Sequence, residues 1–151
     1  MFRYFNDPID RSKGDREIRD VELLQEDKVA NASIYRYVIK SPNTWIVSDR
    51  EVVAKVTVRE RWPDADSTSI LYKSCDHPKY PAGANKNFVR SISFQAWVIK
   101  KTVEADKFEC SMYTENNAGG SIPLWILNKA AGKIPKSIYG RLNKRARGEK
   151  F

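Results

Sequence analysis

Only two of the 151 residues are cysteine, Cys75 and Cys110, and only one, His77, is histidine. The two thiols lie far apart in the chain, which excludes a disulfide-stapled scaffold. A single imidazole does not supply a structural zinc site. No run approaches the ~20 apolar residues of a membrane-spanning helix. The first twenty residues hold no apolar stretch of signal-peptide length either. The sequon Asn31-Ala32-Ser33 therefore reads as a chance match, because glycosylation needs a secretory route. These absences together point to a reducing, cytoplasmic setting. Acidic charge is also scarce: 19 Asp and Glu face 27 Lys and Arg, a net charge of +8. That excess points to an anionic partner, either nucleic acid or an acidic membrane surface.

A chain of 151 residues suits one domain, since domains most often run to about 100–150 residues. At this size folding buries roughly 68–70% of the surface that the unfolded chain exposes, so neither metal nor disulfide is needed to hold a core. A composition 41% hydrophobic and 30% charged belongs to a folded globular chain. The charge is unevenly placed. From Lys129 to Phe151 eight basic residues (Lys129, Lys133, Lys136, Arg141, Lys144, Arg145, Arg147, Lys150) accompany one acid, Glu149, so this segment carries +7 and residues 1–128 only +1. Two readings stand side by side: a solvated helix face with a frayed tail, or a surface that docks on anionic lipid at ~1 kcal/mol per basic residue.

Residues 1–16 are polar with scattered aromatics and read as short helix and turn. Beyond them the pattern is that of strands. Glu17–Glu26 and Ser33–Ile39 suggest a hairpin, and Ser41-Pro42-Asn43 marks a turn. From Trp45 to Trp62 a long strand alternates Val52, Ala54, Val56 and Val58 on one face with Lys55, Thr57, Arg59 and Arg61 on the other. Thr68–Cys75 follows the turn Pro63-Asp64-Ala65-Asp66. Asp76–Asn87, with Pro78, Pro81 and Gly83, is too proline-rich for either regular state. Phe88–Lys100 and Phe108–Glu115 complete six expected antiparallel strands across residues 17–117. A helix is expected over 121–146, capped by Ser121 with Pro123 in its first turn. Ile126, Ala130, Ile134, Ile138 and Leu142 recur at spacing four on it. Gly132 should weaken this helix and Pro135 kink it. Residues 147–151 form a basic tail.

In Phe88–Lys100 the even positions Phe88, Arg90, Ile92, Phe94, Ala96 and Val98 are more apolar than the odd positions Val89, Ser91, Ser93, Gln95, Trp97 and Ile99. The even set is therefore expected to face the helix. That turns Arg90 inward, where an unpaired charge is costly and a carboxylate or an anionic ligand must meet it. A head that snorkels to water from the strand end is the third reading.

No catalytic set assembles from the sequence. Cys75 and His77 are neighbours in a loop, but catalytic partners are adjacent in space more often than in sequence. Gly119-Gly120 lacks the lysine of a phosphate-cradling loop. Asp64 and Asp66 sit in a turn as solvated turn-formers. Basic residues are not interleaved with aromatics along one strand face, which argues against nucleic acid as a partner.

Several segments do resemble a known family, the START domains, which are lipid-transfer domains related to the steroidogenic acute regulatory protein. Asp7…Arg11–Asp15 is similar to that family's "D…R..WD" stretch. Ser48-Asp49-Arg50-Glu51-Val52-Val53 resembles its "SxRDxV" strand. Ser74…His77-Pro78…Pro81…Val89-Arg90 resembles "hP..P…VR". Gly119-Gly120-Ser121-Ile122-Pro123-Leu124-Trp125-Ile126-Leu127-Asn128 resembles "GGxIPxWxxN" ahead of the C-terminal helix. The motifs fall in order over nearly the whole chain.

The resemblance implies an α+β helix-grip fold, a curved antiparallel sheet wrapped around a long C-terminal helix, across one domain of residues 1–151. A tunnel between sheet and helix would hold one phospholipid or sterol for transfer or sensing, with no cofactor and no catalysis. Its apolar lining would be Val52, Ala54, Val56, Val58, Phe88, Ile92, Phe94, Ala96, Phe108, Cys110 and Met112, closed by Ile126, Ile134, Ile138 and Leu142. Its polar contacts would come from Arg90, Tyr72 and Thr114. Lys129, Lys133, Lys136, Arg141, Lys144 and Arg145 would dock peripherally on an anionic membrane. Gly14 stands where the family has Trp, and the family's N-terminal helix and first strands have no counterpart here. That implies an open sheet edge, which invites a homodimer. A helix-grip small-molecule binder or cyclase-type enzyme is the alternative, and nucleic-acid binding through the basic tail is a second one.

Overall fold

The computed structural model describes Ile9, Ser12 and residues 17–41, 46–104 and 107–147, leaving out the side chains of 130, 134, 135, 145 and 146. Its elements run β1 (Ile18–Asp27), β2 (Ala32–Ile39), β3 (Arg50–Glu60), β4 (Ser67–Ser74), β5 (Val89–Arg90), β6 (Ile92–Lys101), β7 (Phe108–Asn117) and α1 (Leu124–Ala146). The expected short helix and turn over 1–16 falls almost wholly outside the described residues.

Six strands follow one another in the order β1-β2-β3-β4-β6-β7, all antiparallel, forming one curved sheet. The β1–β2 turn closes because Asp27 Oδ1 accepts hydrogen bonds from the amides of Val29 and Ala30, and Asn31 takes a left-handed φ of 47°. Strand β3 is shorter than the expected Trp45–Trp62, starting only at Arg50.

The expected single strand Phe88–Lys100 is in fact two. β5 runs parallel to the start of β3, pairing Arg50 with Val89 and Glu51 with Arg90, before β6 joins β4. Once β4 leaves β3 at the Ala54–Ser74 pair, the freed edge of β3 is satisfied by Cys75 N on Val53 O, Ser91 N on Glu51 O and Val89 N on Asp49 O. The break at Ser91 is where the chain passes from one neighbour to the next.

The core lies on the concave face. Tyr35, Tyr37, Val52, Ala54, Val56, Val58, Ile70, Tyr72, Trp97 and Ile99 form it, with Ile18, Val21, Ile39, Met112, Ile138 and Leu142 packed against them. The β3 alternation is as expected, while β6 is reversed. Register pairs Ile70 with Trp97 and Trp97 with Met112, so the odd residues of β6 face the helix side. Ile92, Phe94 and Ala96 therefore lie on the convex face, and Phe88 belongs to the loop ahead of β5. The cause is compositional: the outward side of β6 packs Phe94 edge-to-face on Tyr113, ring centroids 6.0 Å apart, and lies beside Leu71, so it is as apolar as a core face.

Helix α1 begins at Leu124, two residues later than a Ser121 cap requires. The Pro123 carbonyl accepts from the amides of Ile126 at 2.9 Å and Leu127 at 3.3 Å, so Pro123 stands at the cap position. The helix then runs without interruption to Ala146.

Candidate functional site

The concave face is graded along the strands. At one end successive cross-strand rows are apolar: Val58–Ile70–Trp97–Met112, then Ile99–Cys110. Tyr72, Gln95 and Thr114 form the next row, on three adjacent strands. Beyond it Ser93 N donates to Ser74 Oγ at 2.8 Å, Ser93 Oγ to Asn116 Oδ1 at 2.5 Å, and Asn116 Nδ2 to Thr114 Oγ1 at 2.8 Å. A band of hydroxyls and amides thus crosses β4, β6 and β7 and borders the apolar rows. Tyr72 and Thr114, expected from sequence as polar contacts, are brought together there. Gln95, Ser93 and Asn116 were missed, because polarity on β6 reads as an outward face; the signal that finds them is register against β4.

Arg50 closes the polar end of this face. Its Nε donates to Ala118 O at 2.7 Å, its Nη2 to Gly119 O at 3.2 Å, and its Nη1 to Ser48 O. The start of β3 thereby holds the turn that leads into α1. Burial lowers the guanidinium's pKa, and nearby Asp49 partly offsets this. Asp49 itself is engaged, accepting from Arg19 and from the Ser41 amide.

Arg90 lies elsewhere. On the convex face its Nη2 donates to Glu51 Oε2 at 2.8 Å and to Tyr80 O at 2.7 Å, while Arg36 Nε donates to Glu51 Oε1 at 2.8 Å. The Arg36 guanidinium lies 4.7 Å from the Tyr80 ring centroid and 5.5 Å from that of Phe88. Burial pushes the Glu51 carboxyl up, and the two arginines more than reverse this, leaving it below the usual carboxylate range. Arg90 is thus the internal-acid case among the sequence readings. Phe88 and Tyr80 cover this cluster from the proline-rich loop. His77 sits in that loop, and burial pushes the Cys75 thiol up, opposite to what a nucleophile needs.

On α1 the packed side chains are Ile138 and Leu142. Helical spacing carries the same stripe back through Leu127 to Leu124. There it is exposed, Leu124 to 72% and Leu127 to 40%. Ile126 is half-buried, and Ile134 lies among the side chains left undescribed. The helix grips the sheet with its C-terminal half, while in its N-terminal half Leu124 and Leu127 are covered by no strand among the described residues. On the concave side of β7, Met112 is half-buried and Phe108 and Cys110 are exposed. Trp125 and Tyr139, 59% and 69% exposed, share another side of α1 with Lys129 and Lys136. Lys133 and Lys144 are exposed as well, Arg141 is half-buried, and the Arg145 side chain is not described.

No family model matches the sequence, and no curated protein matches it. Solved structures do. Human STARD10 superposes with a TM-score of 0.73 at 24% identity, covering 95% of this chain and 57% of that one. Human StAR-related lipid transfer protein 5 gives 0.76 at 17% identity, covering 91% and 64%. A STAR-related lipid transfer protein fragment from Xanthomonas axonopodis gives 0.67 at 23%, covering 97% and 75%. The fold is the START helix-grip fold. The chain spans 57% and 64% of the length of the two human proteins. Within the START fold the graded face lies on the side of the sheet that carries the C-terminal helix, and the Glu51–Arg90 pair lies on the opposite side.

Proposed function

We propose that this chain binds one lipid or sterol between the concave face and α1, for transfer or sensing at membranes. The observation that carries the reading is the uncovered half of the apolar helix stripe, Leu124 and Leu127, in a START fold whose concave face grades from apolar to polar. The acyl or ring portion lies along Trp97, Met112 and Phe108, and Leu124 and Leu127, which follow the turn held by Arg50, close over the polar end. The polar end meets Tyr72, Gln95, Thr114 and Asn116, with Arg50 at the same end of the face. Each buried CH₂ is worth ~0.8 kcal/mol, so a chain of about 16 carbons recovers on the order of 10 kcal/mol of what it loses on leaving a bilayer. The step is binding, with no bond made or broken.

Exchange requires α1 to move, and a helix held mainly by Ile138 and Leu142 swings more readily at its N-terminal half. Trp125, Tyr139 and the lysines of α1 are suited to the headgroup layer of an anionic membrane in the cytoplasm, aromatic tips at the interface and cations on the phosphates. Native mass spectrometry of purified protein, with extraction of co-purified lipid, tests the reading. One bound lipid per chain is expected, lost in Trp97→Ala and retained in Arg90→Leu. Protein that carries no lipid and takes none from vesicles overturns it.

A further inference from the structure

Two neighbouring charges at the head of β3 are met in different ways. The Asp49 carboxylate, 8% exposed, accepts from the Arg19 guanidinium and from the Ser41 amide, so its charge has an opposite partner. Arg50 is as deeply buried, at 9% exposed. Among the described residues its hydrogen bonds all go to backbone carbonyls, those of Ser48, Ala118 and Gly119, and none goes to a carboxylate. A guanidinium buried against neutral oxygens recovers only part of what it loses on leaving water.

The pattern of these bonds matters as much as their chemistry. Nε and Nη2 form one edge of the guanidinium, the edge that grips a phosphate or carboxylate with two parallel N–H donors. Here that edge holds Ala118 O at 2.7 Å and Gly119 O at 3.2 Å. Both carbonyls belong to the turn that leads into α1. Gly120 stands beside the same edge, exposed and with no side chain to screen it: a Cβ built there would lie 3.9 Å from Arg50 Nη2. A guanidinium has five N–H donors, so further ones remain for an arriving oxyanion.

We propose that Arg50 is a phosphate-responsive latch: the phosphate of an anionic lipid headgroup takes its Nε–Nη2 edge, displaces the carbonyls of Ala118 and Gly119, and frees the lead-in so that the N-terminal half of α1 swings outward. What the opening serves rests on the lipid-binding reading above. Phosphate wins the exchange because it brings negative charge to a two-donor edge that now meets neutral oxygens. The released carbonyls turn to water as the exposed turn moves out. The latch is therefore closed in solution and opens at a membrane surface, where a lipid can pass without crossing water.

Hydrogen exchange of the full chain reads the latch at the amides of Gly119, Ile126 and Leu127, which are bonded to Asn117 Oδ1 and to Pro123 O. With phosphatidylcholine vesicles that contain phosphatidic acid, these amides should exchange several-fold faster than with vesicles of phosphatidylcholine alone. The β3–β4 ladder should stay unchanged. Arg50→Lys keeps the charge but loses the two-donor edge, so its lead-in should exchange fast with either vesicle. Native exchange that phosphatidic acid does not accelerate overturns the proposal. So does a folded Arg50→Lys protein whose lead-in stays protected or still responds. Inorganic phosphate without vesicles separates a free anion from a headgroup: acceleration by it alone overturns the headgroup as the source. Native mass spectrometry of the same sample keeps the two readings apart. Protein that carries lipid but shows no acceleration loses the latch and keeps the lipid site; acceleration in protein that takes up no lipid does the reverse.

Discussion

The Arg90 guanidinium donates to Glu51 Oε2 at 2.8 Å on the convex face of the sheet, with only 14% of the Arg90 side chain and 6% of the Glu51 side chain exposed. Glu51 is the shared partner of two arginines, so the two ends of the pair are not equivalent. Arg90→Leu leaves the carboxylate with Arg36 and should cost about 1–3 kcal/mol. Glu51→Ala leaves two cations facing each other and should cost about 3–5 kcal/mol. Urea unfolding of the two variants checks the order, and bound lipid should be unchanged in Arg90→Leu.

Because the arginines hold the Glu51 carboxyl below its ordinary value of 4.5, its ionised form is favoured more in the folded than in the unfolded chain. The stabilisation is complete above pH 4.5 and is lost as pH falls from there through the lower folded-state value. Thermal unfolding between pH 6 and pH 3 should therefore show a steep acid limb in the native protein, and a flatter one in Glu51→Gln. Parallel limbs in the two proteins would dismiss the linkage.

The face assignment of β6 has its own test. Trp97→Ala empties a fully packed concave position and should cost about 3–5 kcal/mol. Phe94→Ala removes a convex ring paired with Tyr113, worth about 0.5–1.5 kcal/mol beyond its area. Equal losses in urea unfolding would mean that both faces of β6 are core.

That strand also shows what sequence can and cannot deliver. The β3 alternation was legible because one side of it is Val52, Ala54, Val56 and Val58, and the other is mostly charged. The START resemblance and the long basic helix were legible for the same kind of reason: strong local patterns. On β6 the side with Ser93 and Gln95 faces inward, against the ordinary pattern in which the more polar side of a strand faces out. Arg90 was legible as a residue that needs a partner. Its side of the sheet was not, because the apolar even positions read as the inner set, whereas Arg90 shares the convex face with the even residues of β6. The Leu124–Leu127 extension of the helix stripe escaped the spacing-four reading, which drifts around the helix by about 40° per step at 3.6 residues per turn.

Gly119 stands at φ +65°, and a Cβ there would come within 2.5 Å of the Arg90 carbonyl oxygen. The turn that Arg50 holds therefore depends on glycine. Gly119→Ala should cost at least the ~1–2 kcal/mol of a left-handed backbone, and should disturb the lead-in to α1. Gly132 is the opposite case: it lies inside the helix with open space around it. Gly132→Ala should stabilise by about 0.5–1 kcal/mol. It should also slow lipid exchange if the N-terminal half of α1 is the moving part. Stopped-flow transfer of a fluorescent lipid between vesicles reads that rate beside the unfolding curves.

Lys129, Lys133 and Lys136 follow one another at spacings of four and three, so they project from neighbouring positions on one side of α1, with Trp125 one turn ahead. Near an acidic bilayer each contributes ~1 kcal/mol, so replacing all three with alanine should weaken binding to vesicles containing phosphatidylserine by roughly 100-fold. The native protein should itself lose affinity as salt rises, since the attraction is screened within about 10 Å at 0.1 M. Trp125→Ala removes an interfacial ring, not a charge; it should weaken binding at every salt concentration while leaving the salt slope intact. Vesicle co-sedimentation across a salt series separates the two contributions. Binding that ignores salt, anionic lipid and the lysines alike would remove α1 from the membrane.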